Sequence, residues 1–285
     1  MRGHVVVCGP VSWNSIVVLD HLPDPTPHMQ FALEHFETIG GTSAGKALHL
    51  AGLGRSVVCR TVVGDDERSE GIVRALEAAG VRMEATPTTG PPERHLNLMT
   101  PAGERVSIYL SSPTAPGPEA TAFAALIEDA DAVVMDLSEA SRALLPTAVA
   151  SGRPVWTDIH DYDGRNPFHT PFIESASYVF MNADGMPEPE EFMRARVAAG
   201  ARAVVCTLGA RGAIAADRHG MHRVDAVPTT VRDANGAGDA FLSGYLDATL
   251  TGSRTPEALA AASRQAVVAL RSRHLHPVLE QTLGG

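Results

Sequence analysis

The chain has 285 residues, with 23 Lys and Arg against 33 Asp and Glu, for a formal net charge of −10. That balance, with no run of basic residues, argues against nucleic acid as a partner, and no stretch approaches the ~20 apolar residues of a membrane helix. The length suits one large domain or one domain with a small appendage, and 44% hydrophobic residues supply a sizeable core. Cys8, Cys59 and Cys206 lie far apart in apolar stretches without metal spacing, so they read as buried thiols.

The first apolar run, His4 to Cys8, is too short for a secretory signal and reads as a buried strand closed by Gly9-Pro10; a cytoplasmic protein is the expectation. Residues 12–39 carry Pro23, Pro25 and Pro27, then an alternating stretch from Gln30 to Ile39 that places Phe31, Leu33, His35 and Glu37 on one face of a half-exposed strand. From Gly40 the spacing of Ala44, Ala47, Leu48 and Ala51 predicts a helix, stopped by Gly54. A strand follows over residues 56–63, then a helix marked by Ile72, Val73, Leu76 and Ala79 that ends at Gly80. Residues 93–112 read as a hairpin turning at Pro101-Ala102-Gly103.

Strands at 132–135, 154–157, 178–181 and 203–207 then alternate with helices near 141–150, 169–175 and 188–199. Such alternation predicts a parallel sheet covered on both faces. Short strands near 213–217 and 221–224 and helices near 237–250 and 256–271 complete the chain. The expected architecture is an α/β three-layer sandwich: a large domain from residues 1–11, 40–92 and 113–285, with residues 12–39 and 93–112 pairing into a small β-rich lid. A lid keeps water from a reaction centre.

The most informative segment is residues 233–241, DANGAGDAF. Gly236, Ala237 and Gly238 leave the backbone bare just before a helix, where unpaired N–H groups and the helix dipole attract an anion. Asp239 falls in the first turn, placed to accept a proton from a hydroxyl while the loop holds a phosphoryl group. An ordinary helix start with a favourable Asp accounts for the residues equally well.

DANGAGDAF resembles the C-terminal signature of the ribokinase-like (PfkB-type) carbohydrate kinases, Asp-Thr-x-Gly-Ala-Gly-Asp-x-Phe, with Ala234 in place of Thr. The resemblance implies Asp239 as the base, Gly236, Ala237 and Gly238 as the anion hole, and Asp233 near a metal or monovalent-cation site such as one for K+. Two further segments support it. GGTSAGKALHLAGLG at residues 40–54 resembles the N-terminal signature, whose glycine pair, here Gly40 and Gly41, hinges and touches substrate. TLGARGA at residues 207–213 resembles the nucleotide-binding turn, implying Thr207, Gly209 and Gly212 beside ATP, with Asn182 and Asn235 on the same side. The matches span nearly the whole chain. They imply ATP and Mg2+ as cofactors, a sugar or nucleoside acceptor, and a homodimer formed through the lid.

The substrate end departs from the pattern. Gly45 stands where an Asn usually binds substrate hydroxyls, and Asn14, near Ser12, where an Asp usually does; a plain turn residue is the ordinary reading of Asn14. Asn182 lacks the Glu expected three residues on, leaving Asp184 as a substitute near the magnesium water shell. Residues 40–46 also fit most of a P-loop, but Ala47 replaces the magnesium-binding hydroxyl, so Lys46 reads as a helix residue with a packed stem or as a substrate contact. The loop WTDIHDYDGRN at residues 156–166 resembles the Asp-x-Asn-x-Arg loop of fructokinase-like members, implying Asp158 on the phosphate or metal side and Arg165 as a charge clamp. Three activities stay open: a sugar kinase, an adenosine-like nucleoside kinase, and a non-catalytic sugar or nucleotide sensor.

Overall fold

A computed structural model describes residues 3–114, 117 and 119–283. In chain order the first half runs β1 (His4–Cys8), β2 (Ser12–Val18), β3 (Glu34–Gly40), α1 (Thr42–Gly52), β4 (Ser56–Val63), α2 (Glu67–Ala78), β5 (Arg82–Pro87), β6 (Glu93–Met99) and β7 (Arg105–Ser111). The second half alternates: α3 (Ala120–Ile127), β8 (Ala132–Met135), α4 (Glu139–Ala150), β9 (Val155–Asp158), α5 (Thr170–Ser175), β10 (Tyr178–Asn182), α6 (Glu190–Ala198) and β11 (Ala203–Thr207). It closes with β12 (Ala213–Asp217), β13 (Gly220–Val224), α7 (Ala237–Leu250), α8 (Thr255–Leu270) and α9 (Glu280–Leu283).

Nine strands form the large sheet, in the order β13-β12-β11-β10-β9-β8-β1-β4-β5. From β11 to β5 every pairing is parallel, and β12 and β13 add an antiparallel edge. The alternation along β1 explains the layers. Val5 and Val7 pack with Leu48 of α1, Leu76 of α2, Leu242 of α7 and Leu259 of α8. Val6 and Cys8 pack on the other face with Phe123 of α3, Leu144 of α4, Phe172 of α5 and Met193 of α6. A strand that is apolar on both faces folds only where helices cover both. The helices also carry local signals: Asp66 caps α2 through Ser69 N, and Ser138 caps α4 through Ser141 N. All three cysteines are buried and free; burial pushes the Cys8 thiol up to about 11 and the Cys206 thiol up to about 12. Among the described residues, no helix is long and apolar enough to cross a membrane.

The two excursions meet in a second sheet of four strands, β3-β2-β6-β7. β2 pairs antiparallel with β3 and parallel with β6, and β6 returns antiparallel as β7. The strand expected from Gln30 begins only at Glu34, because its partner β2 ends at Val18, opposite Glu34. Phe31 and Leu33 are therefore exposed loop residues. Three elements, β5, α3 and α9, are additions to the sequence reading.

Candidate active site

The carboxyl ends of neighbouring parallel strands converge on one edge of the large sheet, where such sheets gather their ligands. Asp136 directly follows β8 and Asp158 ends β9. α1 and α7 pack against each other there, α1 contributing Thr42, Ser43 and Lys46 and α7 contributing Asp239. These six side chains form one polar cluster. Lys46 is fully buried, and its ammonium lies 2.8 Å from Asp239 Oδ1, 2.9 Å from Asp136 Oδ1 and 3.5 Å from Asp158 Oδ2. It also donates to Thr42 Oγ1, which in turn donates to Asp239 Oδ1 at 2.6 Å. Ser43 Oγ donates to Asp136 Oδ2 at 2.7 Å.

An unpaired ammonium at such depth would be deprotonated, whereas one among three carboxylates is not. Burial pulls the Lys46 amine down, but Asp136, Asp239 and Asp158 outweigh it and hold the amine above its ordinary range. Burial pushes Asp158 up, and His160 with Lys46 overcomes that, leaving it below the usual carboxylate range. For Asp239 burial prevails over the lowering by Lys46 and Thr42, so its carboxyl sits above the usual range. A buried carboxylate whose proton affinity is shifted toward neutrality has the character of a general base.

Two glycines make this approach possible. Gly41 has φ +89°, and a Cβ there would lie 2.6 Å from the Pro10 carbonyl oxygen, so the β1–β2 turn and the start of α1 can touch only across a bare backbone. A Cβ on Gly45 would lie 2.6 Å from Asp239 Oδ2. The neighbouring Gly40 abuts Asn14, whose buried amide oxygen accepts from Ser12 Oγ at 2.7 Å.

α7 begins after Gly236 (φ +75°), and no side chain caps it. Of its first N–H groups, that of Ala237 makes only a long bond to the Ala234 carbonyl, 3.3 Å, and that of Gly238 is left for an anion. Before it, Asp233 accepts from Asn235 N at 2.7 Å, and burial raises the Asp233 carboxyl. Asn235 also joins the small sheet: its oxygen accepts from Arg105 at 2.6 Å, and its amide lies 3.0 Å from Met99 Sδ. Farther along the same sheet edge, Thr207 ends β11, and Gly209 and Gly212 frame the turn into β12. Asn182 ends β10 and accepts from Asp184 N at 2.9 Å.

Of the other predicted residues, two lie inside this centre and two lie exposed. Lys46, read as a packed stem or a substrate contact, is interior and spends its ammonium on side chains. Asp158, read on the phosphate or metal side, is engaged by Lys46. Arg165 lies exposed in a turn closed by Asp163. Asp184 is exposed, and among the described residues no group of three or more His, Cys, Asp or Glu could hold a metal ion. Sequence reasoning missed Asp136, Thr42 and Ser43. Asp136 was findable, because a carboxylate just past an apolar parallel strand falls where ligands bind.

Residues 32–281 match the model of the pfkB family of carbohydrate kinases. The chain is 30% identical over 256 residues to the acarbose 7(IV)-phosphotransferase of Actinoplanes sp., covering 87% of this chain and 85% of that protein. It is 27% identical over 230 residues to the fructoselysine 6-kinase of Escherichia coli, covering 78% and 85%. Among solved structures it resembles a microbiome-derived acarbose kinase, with a TM-score of 0.85 and 29% identity over the full length of both chains.

Proposed function

Since the chain belongs to the pfkB family of carbohydrate kinases, we propose that it transfers the γ-phosphoryl group of ATP to a hydroxyl of a small sugar, with Asp239 as general base. The observation that carries this reading is the placement of Asp239, in the first turn of the uncapped α7 and held through one oxygen by Thr42 and Lys46. Oδ2 is left to take the acceptor's proton. The N–H groups of Gly236, Ala237 and Gly238 receive the charge that develops on the phosphoryl oxygens, which is most of what this chemistry asks of a protein.

Thr207, Gly209, Gly212, Asn182 and Asn235 are proposed to line the nucleotide side. Their positions at the ends of β10 and β11 and before α7 put them along one sheet edge with Asp239. Mg2+, when bound, would supply charge neutralisation for the phosphates, with Asp184 toward its water shell and Asp233 toward a monovalent cation. Asn14, Ser12, Gly40 and Gly41 are proposed to face the acceptor, beneath the small sheet acting as the lid. The relatives' action on acarbose and fructoselysine favours a sugar acceptor over a nucleoside. A cytoplasmic homodimer paired through the small sheet completes the reading.

Asp239→Asn tests it. ADP release against a panel of sugars and nucleosides should fall by at least about 10³-fold in this variant, while ATP binding by calorimetry stays within a few-fold of wild type. Turnover near the wild-type rate would remove Asp239 from the mechanism.

A further inference from the structure

Lys46 is a buried charge at the base that makes no contact of its own with the reactants in the mechanism above. Its ammonium donates to Thr42 Oγ1 and Asp239 Oδ1 and lies in ion-pair range of Asp136 Oδ1 and Asp158 Oδ2. Fully buried and ringed by these four side chains, the ammonium is turned inward rather than toward a substrate hydroxyl. What it does instead is fix one side of Asp239. Oδ1 accepts from both Lys46 and Thr42, which pins the carboxylate plane. Oδ2 then points over Gly45, the only residue type that leaves space there. We propose that Lys46 is a positioning residue for the general base, keeping Asp239 ionised and its Oδ2 aimed at the incoming hydroxyl across the bare backbone of Gly45. The proposal rests on the assignment of Asp239 as base.

The charged groups facing Asp239 make the consequence of losing Lys46 definite. From α1 come the Lys46 ammonium and the Thr42 hydroxyl. From the sheet edge come Asp136 and Asp158, with His160 Nδ1 3.6 Å from Asp158. Among the described residues, Lys46 is the one cation in direct contact with Asp239. Without it, Asp239 faces two carboxylates and keeps only a neutral hydroxyl donor, so its proton affinity must rise. An opposite charge at this range lowers a carboxyl pKa by about 1–3 units, and its removal should return that shift.

Lys46→Met deprives three buried carboxylates of their shared cation, which threatens folding. The double variant Lys46→Met with Asp136→Asn removes one of those charges as well, and Asp136→Asn alone is its reference. Carboxyl 13C titration, with the Asp239 signal assigned through Asp239→Asn, should show the Asp239 pKa about 1–3 units higher in the double variant than in the reference. With ATP and the fastest acceptor of a sugar panel, the acid limb of kcat should move to higher pH by the same amount. The KM for ATP should stay within about twofold, and part of the lost kcat should return at high pH. A residue that merely supports the fold would lower kcat evenly at every pH. An Asp239 signal that titrates in the same place, with an unshifted kcat limb, overturns the role of Lys46 even if Asp239→Asn is inactive. An active Asp239→Asn would instead overturn the base assignment on which the role depends.

Discussion

At position 45 a side chain as small as methyl decides whether the base has room. A Cβ 2.6 Å from Asp239 Oδ2 cannot be accommodated, so Gly45→Ala must push the carboxylate away or open the contact between α1 and α7. Two effects on stability oppose each other. Alanine gains about 1 kcal/mol over glycine inside a helix, and overpacking costs about 1–3 kcal/mol. The melting temperature should therefore move little, while kcat drops by about 10²-fold, the usual result of displacing a reacting group by an ångström. Steady-state ADP release beside a thermal melt tests both halves. Retained activity would show that Oδ2 does not depend on that space. In the sequence Gly45 is only a departure, a missing Asn; its positive reason, the approach of Asp239, spans 194 positions of chain and has no local signature.

At the level of elements, α1 is joined to the end of the chain by His49. Its ring nitrogens lie 2.9 Å from Gln265 of α8 and 2.9 Å from the Leu275 carbonyl, and its ring meets His276 edge-on at 4.8 Å. Burial pushes the His49 imidazole down to about 3, with His276 adding to the shift. The ring is neutral in the fold at pH values where the unfolded chain, with an ordinary pKa near ~6.5, takes up a proton. Between those two pKa values the unfolded state binds more protons, so stability rises with pH there. The contribution is complete above about pH 6.5 and is lost as pH falls toward 3. From pH 7 to 5 this one group should cost about 2 kcal/mol. Urea unfolding at both pH values should show that extra loss in the wild type and not in His49→Gln; equal losses would refute it. The elements themselves were largely legible. β1, β4, β8 and β11 are apolar runs bounded by clear breaks, and α7 and α8 are long enough for their period to show. β5 is a half-buried edge strand, and α3 is short and uncapped, so neither separates from loop by pattern alone. The Gly-Ala-Gly-Asp start of α7 could be read because it is contiguous. The Lys46 cluster could not, because it exists only where the ends of β8 and β9 meet the starts of α1 and α7.

For the whole molecule the question is what covers the small sheet. Register places Val106 and Ile108 of β7 opposite Leu98 and Leu96 of β6, and Val17 of β2 opposite Leu98 on the other side, so these side chains share one face. Val106, Ile108 and Leu110 are 43%, 42% and 49% exposed. The opposite face carries Asn14, His95 and Asn97, with Arg105 reaching Asn235 before α7. Ile16 and Met99 are buried on that inner face as well, but an outer face this apolar is not what a solitary surface sheet shows to water, and β7 is moreover an edge strand. A second copy of the sheet, laid against the first, would remove both defects and stiffen the lid proposed to close over the acceptor. Ile108→Glu places a charge at the centre of that face, where desolvating it is prohibitive. Light scattering behind size-exclusion chromatography should then show a dimer for the wild type and a monomer for the variant. Because the inner face is untouched, the variant's KM for ATP should hold, while kcat/KM for the acceptor falls about tenfold as the lid loses its support. A wild type that is already monomeric, or a variant that stays dimeric, would show that the apolar face is not where the copies meet.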